Sequence, residues 1–314
     1  MIVTLTANPA LDRTIALEEA LRPGAVQFAA STREDAGGKG INVARAVIAA
    51  GVPALAILPL AESDPYDVPL RAAGIEARRV PVHGHARANL TITDPDGQTT
   101  KLNLPGSPLS AEDAAVLTEA VVAAAAGARW VVLAGSLPPG VGDDYYVRVI
   151  EAIRAAHGTA APRIAVDTSG PALRAVVEAG AADLIKPNDE ELAELVGTEV
   201  DPAADPAAIL DVARLIVPGR VAAALVTLGS RGAVLVNADG AWAAPAPRIR
   251  VASTVGAGDS SLAGYLLAEL DGAQPAERLT RAIRYGAAAA ALPGTQLPSP
   301  DDLTPDDLEV VVLP

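Results

Sequence analysis

The segment 253–261, Ser-Thr-Val-Gly-Ala-Gly-Asp-Ser-Ser, carries the strongest sign of chemistry in this 314-residue sequence. Gly256, Ala257 and Gly258 allow backbone N–H groups to converge, and the helical pattern that follows adds a partial positive charge. The turn therefore predicts an anion site. Asp259, at the edge of that site, could take a proton from an attacking hydroxyl group. The structural alternative is an ordinary helix cap, because Asp is a favoured N-cap residue.

Two common phosphate-binding motifs are absent from the sequence. No Gly-Lys-Ser or Gly-Lys-Thr occurs, which excludes a Walker A loop. The dinucleotide fingerprint fails as well, because Ser261 stands where its third glycine would be. A phosphate site of another kind is predicted.

Only three of the 24 basic residues are lysines, namely Lys39, Lys101 and Lys186. Lysine is a compact point charge, whereas arginine is a planar fork, so the two are not equivalent in a tight site. Lys39 lies in a Gly-Gly-Lys-Gly run (37–40) that opens a helix, which suits a phosphate or a polyol. A flexible turn is the alternative.

Two further pairs of residues could bind ligands. Asn188 and Glu191 share one face at a helix start, where they could hold the water shell of Mg²⁺. The same pair also fits an ordinary capping box, and both roles could coexist. Arg87 and Asn89, in a predicted hairpin, could supply a fork for a phosphate group.

Short apolar runs alternate with helical patterns along most of the chain, which predicts a mainly parallel sheet covered by helices on both faces. The predicted strands are 2–7, 54–59, 129–134, 163–167, 183–186, 221–227 and about 248–252. The predicted helices are about 39–50, 143–157, 171–179, 188–196, about 206–217 and 260–270.

Two segments break this alternation, about 12–34 and 87–104. The second has alternating side chains around an Asp-Pro-Asp-Gly turn (94–97), the pattern of a β-hairpin. A hairpin that interrupts such a series could be a lid over an active site, or a harmless edge hairpin. We expect one domain, 1–314, with both segments in the lid.

Composition excludes several classes of protein. A net charge of −14 disfavours general nucleic-acid binding, and the absence of cysteine excludes disulfides and thiolate metal sites. No apolar run approaches the roughly 20 residues of a membrane helix, and the first residues lack the basic region of a signal peptide. A cytoplasmic protein without a membrane or nucleic-acid partner is expected.

Together these residues resemble the PfkB (ribokinase-like) sugar kinases, and within them the branch of 1-phosphofructokinases and tagatose-6-phosphate kinases. The resemblance covers nearly the whole chain. The segments that carry it are 6–12, 37–44, 87–89, 135–138, 186–188 with Glu191, 227–232 and 255–260.

The resemblance implies a doubly wound sheet with a small β lid that often mediates dimerisation, and it implies ATP and Mg²⁺ as cofactors. It assigns Asp259 as the base and Gly256, Ala257 and Gly258 as the anion hole. The other implied contacts are Asp12, Gly38 and Asn42 for sugar hydroxyls; Lys39, Arg87 and Asn89 for the sugar's phosphate; Lys186, Thr227, Gly229, Ser230, Gly232 and Gly258 for ATP; and Asn188 and Glu191 for Mg²⁺, through water.

The preferred substrate implied by the resemblance is fructose 1-phosphate, with tagatose 6-phosphate and fructose 6-phosphate as alternatives. A catalytically silent sugar-phosphate sensor is an alternative of another class, while Lys39 and Arg87 disfavour a nucleoside kinase. Residues 60–67 depart from the family pattern, which usually has a glycine-rich turn there. The resemblance therefore assigns no residues to the rim of the sugar pocket, on which substrate identity depends.

Overall fold

The computed structural model describes residues 1–198, 205–305 and 307–314. The strands are β1 Ile2–Thr6, β2 Ala10–Leu17, β3 Ala29–Gly37, β4 Ala54–Leu60, β5 Ala77–Pro81, β6 Arg87–Thr93, β7 Thr99–Asn103, β8 Trp130–Ala134, β9 Arg163–Asp167, β10 Leu184–Ile185, β11 Ala223–Thr227, β12 Ala233–Asn237, β13 Ala241–Ala244 and β14 Val311–Leu313. The helices are α1 Lys39–Ala49, α2 Asp67–Ala72, α3 Ala111–Ala125, α4 Tyr145–His157, α5 Gly170–Glu178, α6 Asp189–Val196, α7 Pro206–Ala213, α8 Ala257–Leu270 and α9 Pro275–Ala291.

Ten strands form the large sheet, in the order β14-β13-β12-β11-β10-β9-β8-β1-β4-β5. Pairing is parallel from β5 to β11 and antiparallel from β11 to β14. The chain runs outward from β1 through β4 to β5, and later outward from β8 in the other direction. The carboxyl ends of β1 and β8 therefore flank the point where the strand order reverses, which is the usual ligand crevice of such sheets.

Helices cover both faces of this sheet, because its strands present apolar side chains in both directions. One core contains Val3 and Leu5 of β1 and packs against α3 to α7. The other contains Ile2 of β1 and packs against α1, α2, α8 and α9. The predicted doubly wound, mainly parallel α/β fold is confirmed.

A second sheet contains four strands in the order β3-β2-β6-β7 and comes from the two segments that were expected to form the lid. β2 pairs with β3 in the antiparallel direction and with β6 in the parallel direction, and β6 forms the predicted hairpin with β7. We call these four strands the lid sheet. Directly paired residues share a face, so Asp12, Asn89 and Asn103 point to one side, and Leu11, Leu90 and Leu102 point to the other.

The prediction of a strand at about 248–252 is wrong. The backbone N–H groups of Ala252 and Ser253 donate to the carbonyl of Ala290, near the end of α9, at 2.8 and 3.2 Å. These donors are satisfied by a helix end, so this stretch is not part of either sheet. The helix expected at 206–217 ends at Ala213.

Within the part of the chain described here, every helix is too short or too polar to span a bilayer.

Candidate active site

The glycine turn before α8 has the geometry that an anion site requires. Gly256 caps the helix in the left-handed region, with φ 76° and ψ 0°, a conformation that favours glycine. The N–H groups of Gly258 and Asp259 have no hydrogen-bond acceptor within the described residues. Free donors at a helix N-terminus can bind an anion.

Asp259 lies in the first turn of α8 and is 6% exposed. The side-chain amide of Asn42, on α1, donates a 2.8 Å hydrogen bond to its Oδ2. Burial and the negative charge of Asp167 raise the pKa of Asp259 to about 6, against the opposing effects of Lys39, Asn42 and Lys186. The carboxylate is thus ionised at neutral pH, yet binds a proton more readily than an exposed aspartate.

The start of α1 brings Lys39 to the same place. A Cβ on Gly40 would lie 2.9 Å from the carbonyl oxygen of Leu5, so glycine lets α1 approach the end of β1 closely. The ammonium group of Lys39 forms a 2.7 Å ion pair with Asp167 Oδ1. Burial would lower the pKa of Lys39, but Asp167 and Asp259 outweigh burial and raise it.

Asp167 is the central acidic residue of this cluster, and the motif analysis did not select it. It ends β9, is fully buried, and lies between Lys39 and Lys186, whose Nζ is 3.3 Å from Oδ2. Burial would raise its pKa, but the two lysines lower it. Its position at the carboxyl end of a predicted parallel strand was the available signal.

The predicted nucleotide loop lies beside Lys186 and the start of α6. Lys186 is only 4% exposed, and its Nζ is 3.2 Å from the place of a Cβ on Gly258. The N–H of Thr227 donates to Pro187 at 3.0 Å, and residues 229–231 form a 3₁₀ turn next to it. A Cβ on Gly232 would lie 2.0 Å from the carbonyl oxygen of Ala244, so this turn requires glycine.

Asn188 and Glu191 form the capping box that their spacing predicts. Asn188 Oδ1 accepts from the N–H of Glu191 at 2.7 Å, and Glu191 Oε2 accepts from the N–H of Asn188 at 2.9 Å. Glu191 Oε1 takes no part in the box, and the carboxylate is close enough to Lys39 to act on its charge. Capping therefore leaves an oxygen of Glu191 available.

The lid sheet carries a second cluster of predicted residues. Asn89 donates to Asp12 Oδ1 at 3.0 Å, and Arg87 and Lys101 are close enough to Asp12 to favour its ionised form. Burial outweighs these effects and raises the pKa of Asp12 to about 6. Asn89 Oδ1 and Arg87 Nε are buried without hydrogen-bond partners within the described residues.

The atypical segment 60–67 supports this second cluster. Asp64 is buried and accepts from the N–H groups of Tyr66 and Ala86 at 2.9 and 2.7 Å. The hydroxyl of the fully buried Tyr66 donates to the carbonyl of Gly37 at 2.8 Å. Asp64 and Tyr66 thus hold the backbone immediately before Arg87 and before Gly38, a role that sequence patterns did not reveal.

The predicted residues therefore fall into two groups. One group surrounds the paired Lys39 and Asp167, and it contains Asn42, Lys186, Asn188, Glu191, the loop 227–232 and the turn 256–259. The other lies on the lid sheet and contains Asp12, Arg87 and Asn89. Lys39, which was expected beside Arg87 and Asn89, has its ammonium group in the first group.

Comparison with known proteins shows what this arrangement is similar to. Residues 6–302 match the pfkB family of carbohydrate kinases. The chain belongs to this family.

The pfkB relatives include a 1-phosphofructokinase from Rhodobacter capsulatus, which is 36% identical over 96% of this chain and 94% of its own length. They also include the ATP-dependent 6-phosphofructokinase isozyme 2 of Escherichia coli K12, 32% identical over 96% of both chains. A crystal structure of phosphofructokinase-2 from Escherichia coli, in complex with substrates and products, matches with a TM-score of 0.86 at 32% identity over 96% of both chains. As a pfkB kinase, this chain is a phosphotransferase that uses ATP and acts on a hydroxyl group.

Proposed function

We propose that this kinase transfers the γ-phosphoryl group of ATP to fructose 1-phosphate, giving fructose 1,6-bisphosphate and ADP. The observation that carries the proposal is the buried Asp259 beside a glycine turn with free N–H groups, next to two lysines that share Asp167. The 1-phosphofructokinase relative is also more similar to this chain than the 6-phosphofructokinase isozyme, although the margin is small.

Asp259 supplies the proton acceptor in this proposal. As the sugar oxygen bonds to the γ-phosphorus, the bond from that phosphorus to the β,γ-bridging oxygen breaks, and the hydroxyl proton passes to the carboxylate. Phosphoryl transfer depends chiefly on positioning and charge neutralisation, so the base needs to be ionised and well oriented. The hydrogen bond from Asn42 holds Asp259 Oδ2 in place.

The turn Gly256, Ala257 and Gly258 would stabilise the charge on the transferred group through the free N–H groups of Gly258 and Asp259. Lys39 would act on the same group, because its ammonium lies among Asp167, Asp259 and Glu191 rather than on the lid sheet. Lys186 and the loop residues Thr227, Gly229, Ser230 and Gly232 would bind ATP, together with Gly258.

Mg²⁺ fits the start of α6. Mg²⁺ keeps several waters and is usually held by one or two carboxylates together with substrate phosphates. The uncommitted oxygen of Glu191 suits this requirement, and Asn188 next to it would help hold the hydrated ion. When bound, the ion neutralises the charge of the ATP phosphates.

Asp12, Gly38 and Asn42 would contact the sugar hydroxyls, and Arg87 and Asn89 would lie at its phosphate end. The unpartnered acceptor of Asn89 suits a hydroxyl donor, and the unpartnered Nε of Arg87 suits an anion.

The face of the lid sheet opposite Asp12, which we call its outward face, would pair two copies of the chain. Ile15, Leu90 and Ile92 on this face are only partly buried, and Leu102 is 51% exposed.

Steady-state assays of ADP release with fructose 1-phosphate, fructose 6-phosphate and tagatose 6-phosphate test the proposed function. The highest kcat/KM is expected for fructose 1-phosphate. A higher value for another of these sugars would make that sugar the substrate. Sugar-phosphate binding without sugar-dependent ADP release would instead support the silent sensor, against which the intact Asp259 and its anion turn argue.

A further inference from the structure

We infer that Lys101 binds the phosphate group of the sugar phosphate together with Arg87, and thereby selects phosphorylated over unphosphorylated sugars. The inference rests on the proposed function, since it concerns the sugar subsite of the same reaction. Lys101 is the one lysine to which neither the motifs nor the family resemblance gave a role.

The register of the lid sheet places Lys101 on the side of the sheet that carries Asp12. Lys101 pairs with Thr91, and Asn103 pairs with Asn89, so all four share one face. Asp12 pairs with Asn89 on the same face. We call the face with Asp12, Arg87, Asn89, Thr91 and Lys101 the polar lid face.

Arg87 and Lys101 lie on opposite sides of Asp12 along this face. The row of Arg87 is two residues before that of Asp12 and Asn89, and the row of Lys101 is two residues beyond it. Rows so spaced are about 6 to 7 Å apart, which both side chains can span. The charges of both act on Asp12, so both cations lie near the middle row.

Neither cation is fully used within the chain. Lys101 is exposed and has no ion pair or hydrogen bond with the described residues, and Arg87 Nε is buried without a partner. Asn89 donates one of its two amide hydrogens to Asp12, and its unpartnered Oδ1 is an acceptor that cannot bind a phosphate oxygen, so this neutral side chain offers a phosphate at most one N–H. The two cations are therefore the groups on the polar lid face that suit a dianionic phosphate.

The other two lysines already form ion pairs with Asp167. Lys39 and Lys186 lie 2.7 and 3.3 Å from the oxygens of Asp167, at the carboxyl ends of the large sheet. A phosphate on the lid side of the sugar would need a cation from the lid itself. Lys101 meets that need without breaking an existing ion pair.

Calorimetric titration of fructose 1-phosphate into the full-length protein without ATP tests this inference independently of turnover. Lys101→Met is expected to weaken binding about tenfold to a hundredfold, as for the loss of a hydrogen bond to a charged group. Lys101→Arg should retain most of the affinity. In assays, Lys101→Met should raise KM for the sugar phosphate and leave kcat, KM for ATP and any activity measured on fructose within about twofold.

Arg78→Met is the matched control, because Arg78 is an exposed cation on β5 of the large sheet. It should leave affinity unchanged, which separates local contact from a change in net charge. Unchanged affinity in Lys101→Met, or an equal loss for fructose and fructose 1-phosphate, would overturn the inference. A wild-type protein that neither binds nor phosphorylates any sugar phosphate would instead overturn the proposed function.

Discussion

Asp259 is buried, and among the described residues a single side-chain hydrogen bond, from Asn42, holds its carboxylate. An asparagine in its place would keep the size of the side chain and lose the ability to accept a proton. Asp259→Asn is therefore expected to lower kcat at least about 100-fold, the usual scale of general-base assistance. KM values for both substrates should change little, as measured by coupled ADP assays.

Asp271→Asn provides the control for that variant. Asp271 follows the other end of α8, and its side chain is exposed and pairs with Arg281. Near-normal turnover is expected there. Wild-type-like turnover in Asp259→Asn would remove this residue from the mechanism.

The raised pKa of Asp259 has a consequence for pH dependence. A base with pKa about 6 loses its negative charge as pH falls through 6, so kcat/KM should fall on the acid side. Asp12, whose pKa is also about 6, should lose its charge in the same pH range. Two groups then take up protons together, so the slope of log kcat/KM against pH should exceed one on the acid side.

Asp167→Asn separates the two carboxylates. Removing the neighbouring negative charge lowers the pKa of Asp259, so its part of the acid limb should move to lower pH. The position of the limb is the measurement, even where the maximum rate falls. A limb that stays in place would show that another group controls it.

At the scale of elements, the side chain of Asp12 on β2 lies directly against Gly37 at the end of β3. A Cβ on Gly37 would lie 2.0 Å from Oδ2 and 2.8 Å from Oδ1 of Asp12, and the hydroxyl of Tyr66 holds the Gly37 backbone. Gly37→Ala should therefore displace the Asp12 carboxylate. KM for the sugar phosphate should rise at least about tenfold, while KM for ATP stays unchanged.

Gly219→Ala is the matched control for Gly37→Ala. Gly219 has no positive φ, and nothing lies within 4 Å of the place of its Cβ. Equal KM values for the sugar phosphate in the two variants would show that Asp12 tolerates the shift or does not contact the sugar.

Local patterns predicted most of the elements because buried parallel strands and amphipathic helices differ clearly in sequence. The strand expected at about 248–252 failed because an extended segment can satisfy its donors on a helix end as well as on a strand. The turn at Gly256 was predictable, since its conformation is local. The environment of Asp167 was not, because the two lysines beside it come from segments far apart in the chain.

At the scale of the whole molecule, the outward face of the lid sheet is mainly apolar, and its polar residues are the pair of Arg13 and Glu34 together with Thr32 and Thr100. Ile92 lies on that face, opposite Ile15 in the register. Ile92→Glu is expected to convert a dimer into a monomer in light scattering, because a buried unpaired charge is costly.

Val68→Glu is the control, because Val68 is 74% exposed on α2, outside the lid sheet. It should leave the molecular mass unchanged. A wild-type protein that is monomeric at all concentrations would contradict pairing through this face.

The backbone contacts of Asp64 and Tyr66 bear on how the two parts of the molecule can move. Four stretches of chain connect the lid sheet to the main body, before β2, after β3, before β6 and after β7. Asp64 and Tyr66 hold two of them, at Gly37 and at Ala86. This shared contact couples two of the four connections, so the ends of the lid sheet at Gly37 and Ala86 should move together when the sheet moves. A stronger or weaker contact at Asp64 or Tyr66 would therefore change how readily the lid sheet closes over the site, without altering any group that touches the reactants.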